Sequence, residues 1–149
     1  MKSIILTTLF GVLLVSVQAQ YRSNPTRVRA DLEKEYTSGL FKSDNAYAFV
    51  PAEDPAAVAS FSILQYLQGR VPGLLISLDR FNMPYVSWRN ARPAFFLDEV
   101  RVDARTLSMI NMNDIGYVKV FRPPFVGAAG NGPGGAIAVY TYRGEEDEE

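Results

Sequence analysis

The chain holds no His and no Cys among its 149 residues, which removes the commonest reactive side chains at once. Without imidazole there is no histidine general acid or base, and without thiol there is no cysteine nucleophile. A zinc site of the usual His/Cys kind is excluded for the same reason. Two carboxylate pairs remain, Asp98 with Glu99 and Asp103 with Asp114. Adjacent strand residues point to opposite faces, so Asp98 and Glu99 converge only through a turn. Solvated turn acids is the reading that fits them. The run Gly130-Asn131-Gly132-Pro133-Gly134-Gly135 lacks the Lys-Ser/Thr ending of a phosphate loop and leads into strand-like residues. The side chains thus predict a protein that binds rather than catalyses, with no metal and no cofactor.

Residues 1–19 read as a secretory signal peptide. Lys2 supplies the charged start, Ile4 to Val17 the apolar run, and Val17-Gln18-Ala19 the cleavage site. The run of ~14 residues is short of the roughly 20 a membrane span needs. Cleavage after Ala19 leaves 130 residues, one domain's worth. Those residues carry 14 basic and 16 acidic side chains, so no basic face for nucleic acid is expected. With no disulfide, the exported chain depends on its core. Aromatic residues, 12% of the sequence, supply much of the burial.

These side chains need elements to position them. Residues 20–50 are polar, with Arg22, Arg27 and Arg29 followed by Asp31, Glu33 and Glu35. They read as a partly flexible arm, or as a short helix from Ala30 to Tyr36. Asp54 and Pro55 make a good N-cap and first helical position. Ala57, Phe61, Leu64 and Leu67 follow at helical spacing, with Gly69 placed for a left-handed exit. One helix over residues 55–68 is predicted, docking Phe61, Leu64 and Leu67 on a sheet. Pro72-Gly73 reads as a turn into a strand, Leu74 to Leu78. Tyr85 to Trp88 reads as a shorter strand. Ala94–Leu97 and Val100–Val102 read as a hairpin about Asp98-Glu99. Thr106 to Ile110 suits a helical turn, Ile115 to Phe121 a strand, residues 127–135 a glycine-rich loop, and Ala136 to Tyr142 a last strand. The fold class is α+β: a short mixed sheet packed with one main helix and one or two short helices.

Four segments in order resemble the plug domain of TonB-dependent outer-membrane receptors of the starch-utilisation type. They are Leu67-Gln68-Gly69-Arg70-Val71-Pro72-Gly73-Leu74, Phe95-Phe96-Leu97-Asp98-Glu99-Val100, Asn113-Asp114-Ile115 with Val118-Lys119-Val120, and Gly134-Gly135-Ala136-Ile137-Ala138-Val139-Tyr140-Thr141. The resemblance covers about residues 60–144. The family often has Gly where Glu99 stands. A type I′ turn there would hold Glu at positive φ at a cost of roughly 1 kcal/mol, which argues for another turn type.

In that family a β-barrel follows the plug; here only the acidic tail Glu145–Glu149 does, so the expectation is a plug without its own barrel. The resemblance implies a periplasmic subunit of a Gram-negative cell. Its partner would be a separately encoded outer-membrane β-barrel that it occludes or gates, with no membrane insertion of its own. The domain boundaries expected are 1–19, 20–50, 51–144 and 145–149. The rival reading is a periplasmic adaptor that binds protein without blocking a pore. Loops carry binding more often than buried strands, and aromatic and Arg side chains dominate interfaces. The partner-facing candidates are therefore Arg122 and Phe125 in residues 122–133, and Tyr85, Trp88 and Arg89. Phe125 either reaches a partner or covers the core.

Overall fold

The computed structural model describes residues 25–42, 45–127 and 130–143. The expected signal peptide, the start of the arm and the acidic tail lie outside them. The chain divides into two compact units between Glu33 and Lys34. Helix α1 spans Pro25–Tyr36, with Pro25 at its first position and Lys34 in its last turn, both favourable placements. The arm is thus helical from Pro25 rather than from Ala30.

Five strands form one mixed sheet: β1 (Ala46–Phe49), β4 (Ala94–Leu97), β5 (Val100–Val102), β6 (Ile115–Phe121) and β9 (Ala136–Thr141). Their order is β1-β6-β9-β4-β5. Only the β4–β9 pair is parallel. The pairing register sorts the side chains. Tyr47, Phe49, Val118, Val120, Ile137, Val139, Phe95 and Leu97 share one face. Ala46, Ala48, Tyr117, Lys119, Phe121, Ala136, Ala138, Ala94 and Phe96 share the other. Every residue of β6 is buried, as a central strand covered on both faces must be. Because β1 is a strand of this sheet, the folded domain begins well before residue 51, in the stretch the sequence reading assigned to the arm.

The first face packs against α2 (Pro55–Val58), α3 (Ile63–Leu67), α4 (Ala104–Met109) and the separate hairpin of β2 (Leu74–Leu78) with β3 (Pro84–Trp88). Leu74 therefore enters this hairpin and not the main sheet. The turn before it forms as expected, with Leu74 N–H donating to the Val71 carbonyl at 3.1 Å. On the second face the alanines leave a shallow floor for large rings. Phe41 is fully buried there, 5.0 Å from Phe96, 6.0 Å from Phe121 and 6.1 Å from Phe125 between ring centres. Tyr36 lies against Tyr117 and Tyr140 at 6.2 and 6.3 Å.

The predicted single helix over residues 55–68 is two helices, α2 and α3. Ser60 donates its hydroxyl back to the Ala56 carbonyl at 2.9 Å, a bond that competes with helix continuation. Ser62 then caps α3 by accepting the Gln65 N–H at 3.3 Å, while the Gln65 side chain accepts the Phe61 N–H at 3.0 Å. This exchange resembles a capping box and restarts the helix. Phe61, expected in the core, falls in the break and is 91% exposed. Asp54 holds the two helices together. It caps α2 through the Ala56 N–H at 2.9 Å and accepts the Tyr66 hydroxyl at 3.1 Å and Arg70 at 3.2 Å. The Ala56 N–H above all, with Tyr66 and Arg70, keeps the Asp54 carboxyl below its usual range.

Leu64 is buried and Gly69 has φ of 80°. Leu64→Ala should cost about 2–5 kcal/mol. A Cβ at Gly69 meets no atom within 4 Å, so Gly69→Val is penalised by conformation alone, by about 1–2 kcal/mol or somewhat more. Urea midpoints check both; a wild-type midpoint for either would refute this account of α3 or its exit.

The Asp98-Glu99 hairpin turn is type I′ after all, with φ of 46° and 68°. The two carboxylates offset the cost. Asp98 accepts the Thr141 N–H and hydroxyl, both at 2.9 Å, and Glu99 accepts the Ser38 N–H at 2.6 Å. These turn acids clip the last strand and the segment before Phe41 to the β4–β5 turn. Asp98→Ala should lose about 1–3 kcal/mol. Asp98→Asn should lose less, because Asn tolerates left-handed backbone and keeps one acceptor. Equal losses for the two variants would show that the side-chain contact is not what holds the turn.

The glycine-rich segment also differs from expectation. Phe125–Gly127 (β7) pairs antiparallel with Gly130–Gly132 (β8). Gly135 has φ of 85°, and a Cβ there would strike the Phe121 carbonyl. That close approach carries the chain into β9.

Candidate partner-binding surface

The five partner-facing candidates separate into two groups. Arg122, Arg89 and Tyr85 are exposed. Trp88 and Phe125 are 3% and 8% exposed, and neither offers its ring to a partner. Trp88 alternates inward with Val86 on β3, and its indole N–H donates to the Pro72 carbonyl at 3.1 Å. Phe125 takes the second of the two roles open to it and covers the core. It stands 5.0 Å from Phe121 and 5.8 Å from Phe96. The reason is the alanine floor, which rewards any large ring that can fold back onto it.

The fold nevertheless brings the two candidate segments to one side. The Arg122 guanidinium lies 4.6 Å from the Tyr47 ring centre, and the same ring lies 6.3 Å from Trp88. Arg122 is fixed further by Asn45, whose carbonyl accepts its N–H at 3.1 Å. Tyr47 thus joins the segments, and sequence reasoning missed it. The period-2 pair Tyr47 and Phe49 was the available signal.

A second omission is the tip of the β2–β3 hairpin. Asp79 accepts the N–H groups of Phe81 and Met83 at 2.8 and 2.9 Å. This Asx-type turn fixes the loop and leaves Phe81 86% exposed, near the exposed Leu78 at 64%. Arg89 and Asn90 form the opposite tight turn, both at positive φ.

Of the four candidate carboxylates, Asp98, Glu99 and Asp103 hold structure through their side chains, and Asp114 through its main-chain carbonyl. Asp103 caps α4 through the Thr106 N–H at 2.7 Å, which with the Thr106 hydroxyl holds its carboxyl below the usual range. Asp114 lies in a 3-10 turn, where its carbonyl accepts the Tyr142 N–H at 3.0 Å. Among the described residues no group of three or more acids could hold a metal ion. Among them, too, no helix is long and apolar enough to cross a membrane.

No family model matches the chain, and no curated protein matches it in sequence. Solved structures do. A variant of the ferric enterobactin receptor PfeA from Pseudomonas aeruginosa is similar over 68% of this chain, with a TM-score of 0.53 and 16% identity. The RagAB peptide importer in its closed-closed state is similar over 73%, with a TM-score of 0.51 and 19% identity. The chain spans 18% of the receptor chain and 14% of the importer chain. At these identities the likeness is one of fold. That fold is the plug-like one expected from the sequence. The α+β architecture expected from the sequence is the one found.

Proposed function

We propose that this domain is a non-enzymatic periplasmic subunit that binds an outer-membrane β-barrel supplied by another chain and occludes or gates it. The observation that carries the reading is the fold match: most of this chain corresponds to a minor part of a receptor and of an importer. The mechanism is steric. Outer-membrane barrels of about 22 strands have a lumen wide enough to be plugged, and an occluding domain is what closes it. A sheet covered on both faces gives a small body that resists deformation. Contact falls to exposed side chains, with Arg122 and Arg89 on irregular segments and Tyr85 on strand β3 the first to test.

The experiment is a pull-down with the tagged mature chain from outer membranes solubilised in mild detergent. Wild type should recover a β-barrel protein. Arg122→Ala should recover about tenfold less at an unchanged unfolding midpoint, the effect of losing one strong interface residue. A strain lacking the protein should become permeable to a solute or protein otherwise excluded. Barrel capture with unchanged permeability would favour an adaptor that binds without gating. Failure to recover any barrel would overturn the reading.

A further inference from the structure

The two edges of the main sheet are unlike. The β5 edge is three residues long, Val100–Val102, and carries the exposed charge of Arg101. Short length and charge both keep an edge strand from pairing with another chain. The β1 edge, Ala46-Tyr47-Ala48-Phe49, has neither a charge nor a Pro, and it pairs with β6 in unbroken register. Its residues are half-buried, against the complete burial of β6 beside it. The backbone bonding fixes which groups point outward. The Arg122 N–H donates to the Asn45 carbonyl at 3.1 Å, and bonded pairs alternate along an antiparallel ladder. Tyr47 and Phe49 therefore bond inward to β6, and the N–H and carbonyl groups of Ala46 and Ala48 point away from it. Among the described residues no strand lies beyond β1, and no backbone hydrogen bond reaches these outward groups.

We propose that β1 is the interface of a symmetric dimer, pairing antiparallel with β1 of a second copy of this chain and joining the two five-stranded sheets into one. A two-fold interface must be self-complementary, and this edge is. With Tyr47 on the axis, Ala46 of each copy faces Ala48 of the other. Each such pair exchanges two hydrogen bonds, which satisfies every outward group of both alanines. The two Tyr47 residues then face each other in the non-bonded pair, where side chains approach most closely and aromatic pairs stabilise. Asn45 faces Phe49, so no like charges meet along the strand. Other registers fit less well. An axis at Ala48 calls on Val50, whose carbonyl already accepts the Glu53 N–H at 3.0 Å as the chain enters a 3-10 turn. An axis at Ala46 sets Tyr47 against Asn45 and loses the aromatic pair. The palindrome Ala-Tyr-Ala is what selects a second copy over a foreign strand, since an identical strand repeats the pairing on both sides of the axis. A contact of this length falls short of the roughly 1,200 Å² of a standard interface, so the dimer is one that dissociates on dilution. The inference concerns the free chain and stands whether or not the domain occludes a pore.

The test is sedimentation velocity of the mature chain between about 1 µM and about 1 mM, the span of weak complexes. Monomer at the low end should give way to dimer at the high end. Ala48→Pro removes one outward N–H from each copy and touches no bond to β6, so it should weaken the dimer about tenfold at an unchanged unfolding midpoint. The chain has no Cys, so single cysteines report the register. Tyr47→Cys should form a disulfide-linked dimer on mild oxidation with diamide, because the two Cα atoms lie about 4.5 Å apart across the axis. Asn45→Cys should not, because its two copies lie about 13 Å apart along the strands. Unfolding midpoints in reductant establish that both cysteine variants fold, and they decide the matter alone if Ala48→Pro does not. A chain monomeric across the whole range, a dimer indifferent to Ala48→Pro, or no link at Tyr47→Cys would each overturn the proposal. Equal linking at both cysteine positions would overturn the register. A monomeric chain whose Ala48→Pro variant loses barrel capture would give the edge to that partner instead of a second copy.

Discussion

Phe41→Ala is expected to lower the unfolding free energy by about 3–5 kcal/mol, the range for truncating a fully buried Phe. Phe41 sits in a single-turn 3-10 helix, Gly39–Phe41, capped by Ser38. Its neighbours Gly39, Leu40 and Lys42 are exposed. This ring is what fastens the segment to the sheet, filling the space over Ala94, Ala136 and Ala138 among Phe96, Phe121 and Phe125. Removing it strips three rings of an edge or stacking contact, and such contacts add about 0.5–1.5 kcal/mol each beyond burial. A stretch that is only a flexible arm would tolerate the change, so urea unfolding followed by far-UV circular dichroism separates the two accounts. A midpoint within error of wild type would mean that the folded domain does begin near residue 51. Leu40→Ala, at a 57% exposed position one residue away, should leave the midpoint nearly unchanged and serves as the matched control.

The sequence was easiest to read where backbone geometry dictates residue type. Pro72-Gly73 turns, Gly69 ends α3, and the apolar runs at Ile115–Phe121 and Ala136–Thr141 are the central strands. These features are local, so local reasoning reaches them. The misread helix had a local cause too. Phe61 completes an apolar spacing that suggests continuity, yet Ser60 and Ser62 on either side provide the bonds that break and restart the helix. The Ser62-x-x-Gln65 spacing is the local signal of that restart. The turn at Asp98-Glu99 departs from expectation for a different reason. Its strain is local to two residues, while its compensation comes from Ser38 and Thr141, which are 61 and 43 residues away from their partners.

The candidate surface follows the same division. Composition finds aromatic and Arg residues on irregular segments, but it cannot tell a ring that faces solvent from one that folds back. That outcome depends on which face of the sheet carries alanine, and so on a register known only once β1, β6, β9 and β4 are aligned. Phe125 went inward for this reason. The exposed Phe81, by contrast, stands out because Asp79 spends its acceptors on the loop backbone.

Trp88→Ala should also cost about 3–5 kcal/mol, and the reason is where Trp88 sits rather than its size alone. The side chain belongs to the β2–β3 hairpin, which shares no hydrogen-bonded strand pair with the main sheet. It reaches across to the Tyr47 ring, and its indole approaches Gly73 on one side and Gly135 on the other. Truncation would open a cavity between hairpin and sheet and leave the Pro72 carbonyl without its donor. Trp88→Phe keeps most of the apolar contact and loses the hydrogen bond, so it should cost only about 1–2 kcal/mol. Trp88 is the chain's sole Trp, so wild-type fluorescence reports this site directly. Its emission should be blue-shifted and poorly quenched by acrylamide in the native state, shifting red on unfolding. An interface anchor would behave in the opposite way: strong quenching when free, protection on adding the partner, and an alanine variant that keeps its midpoint while losing capture. Finding that second pattern would return Trp88 to the binding surface and remove the tie between hairpin and sheet on which this account of the domain depends.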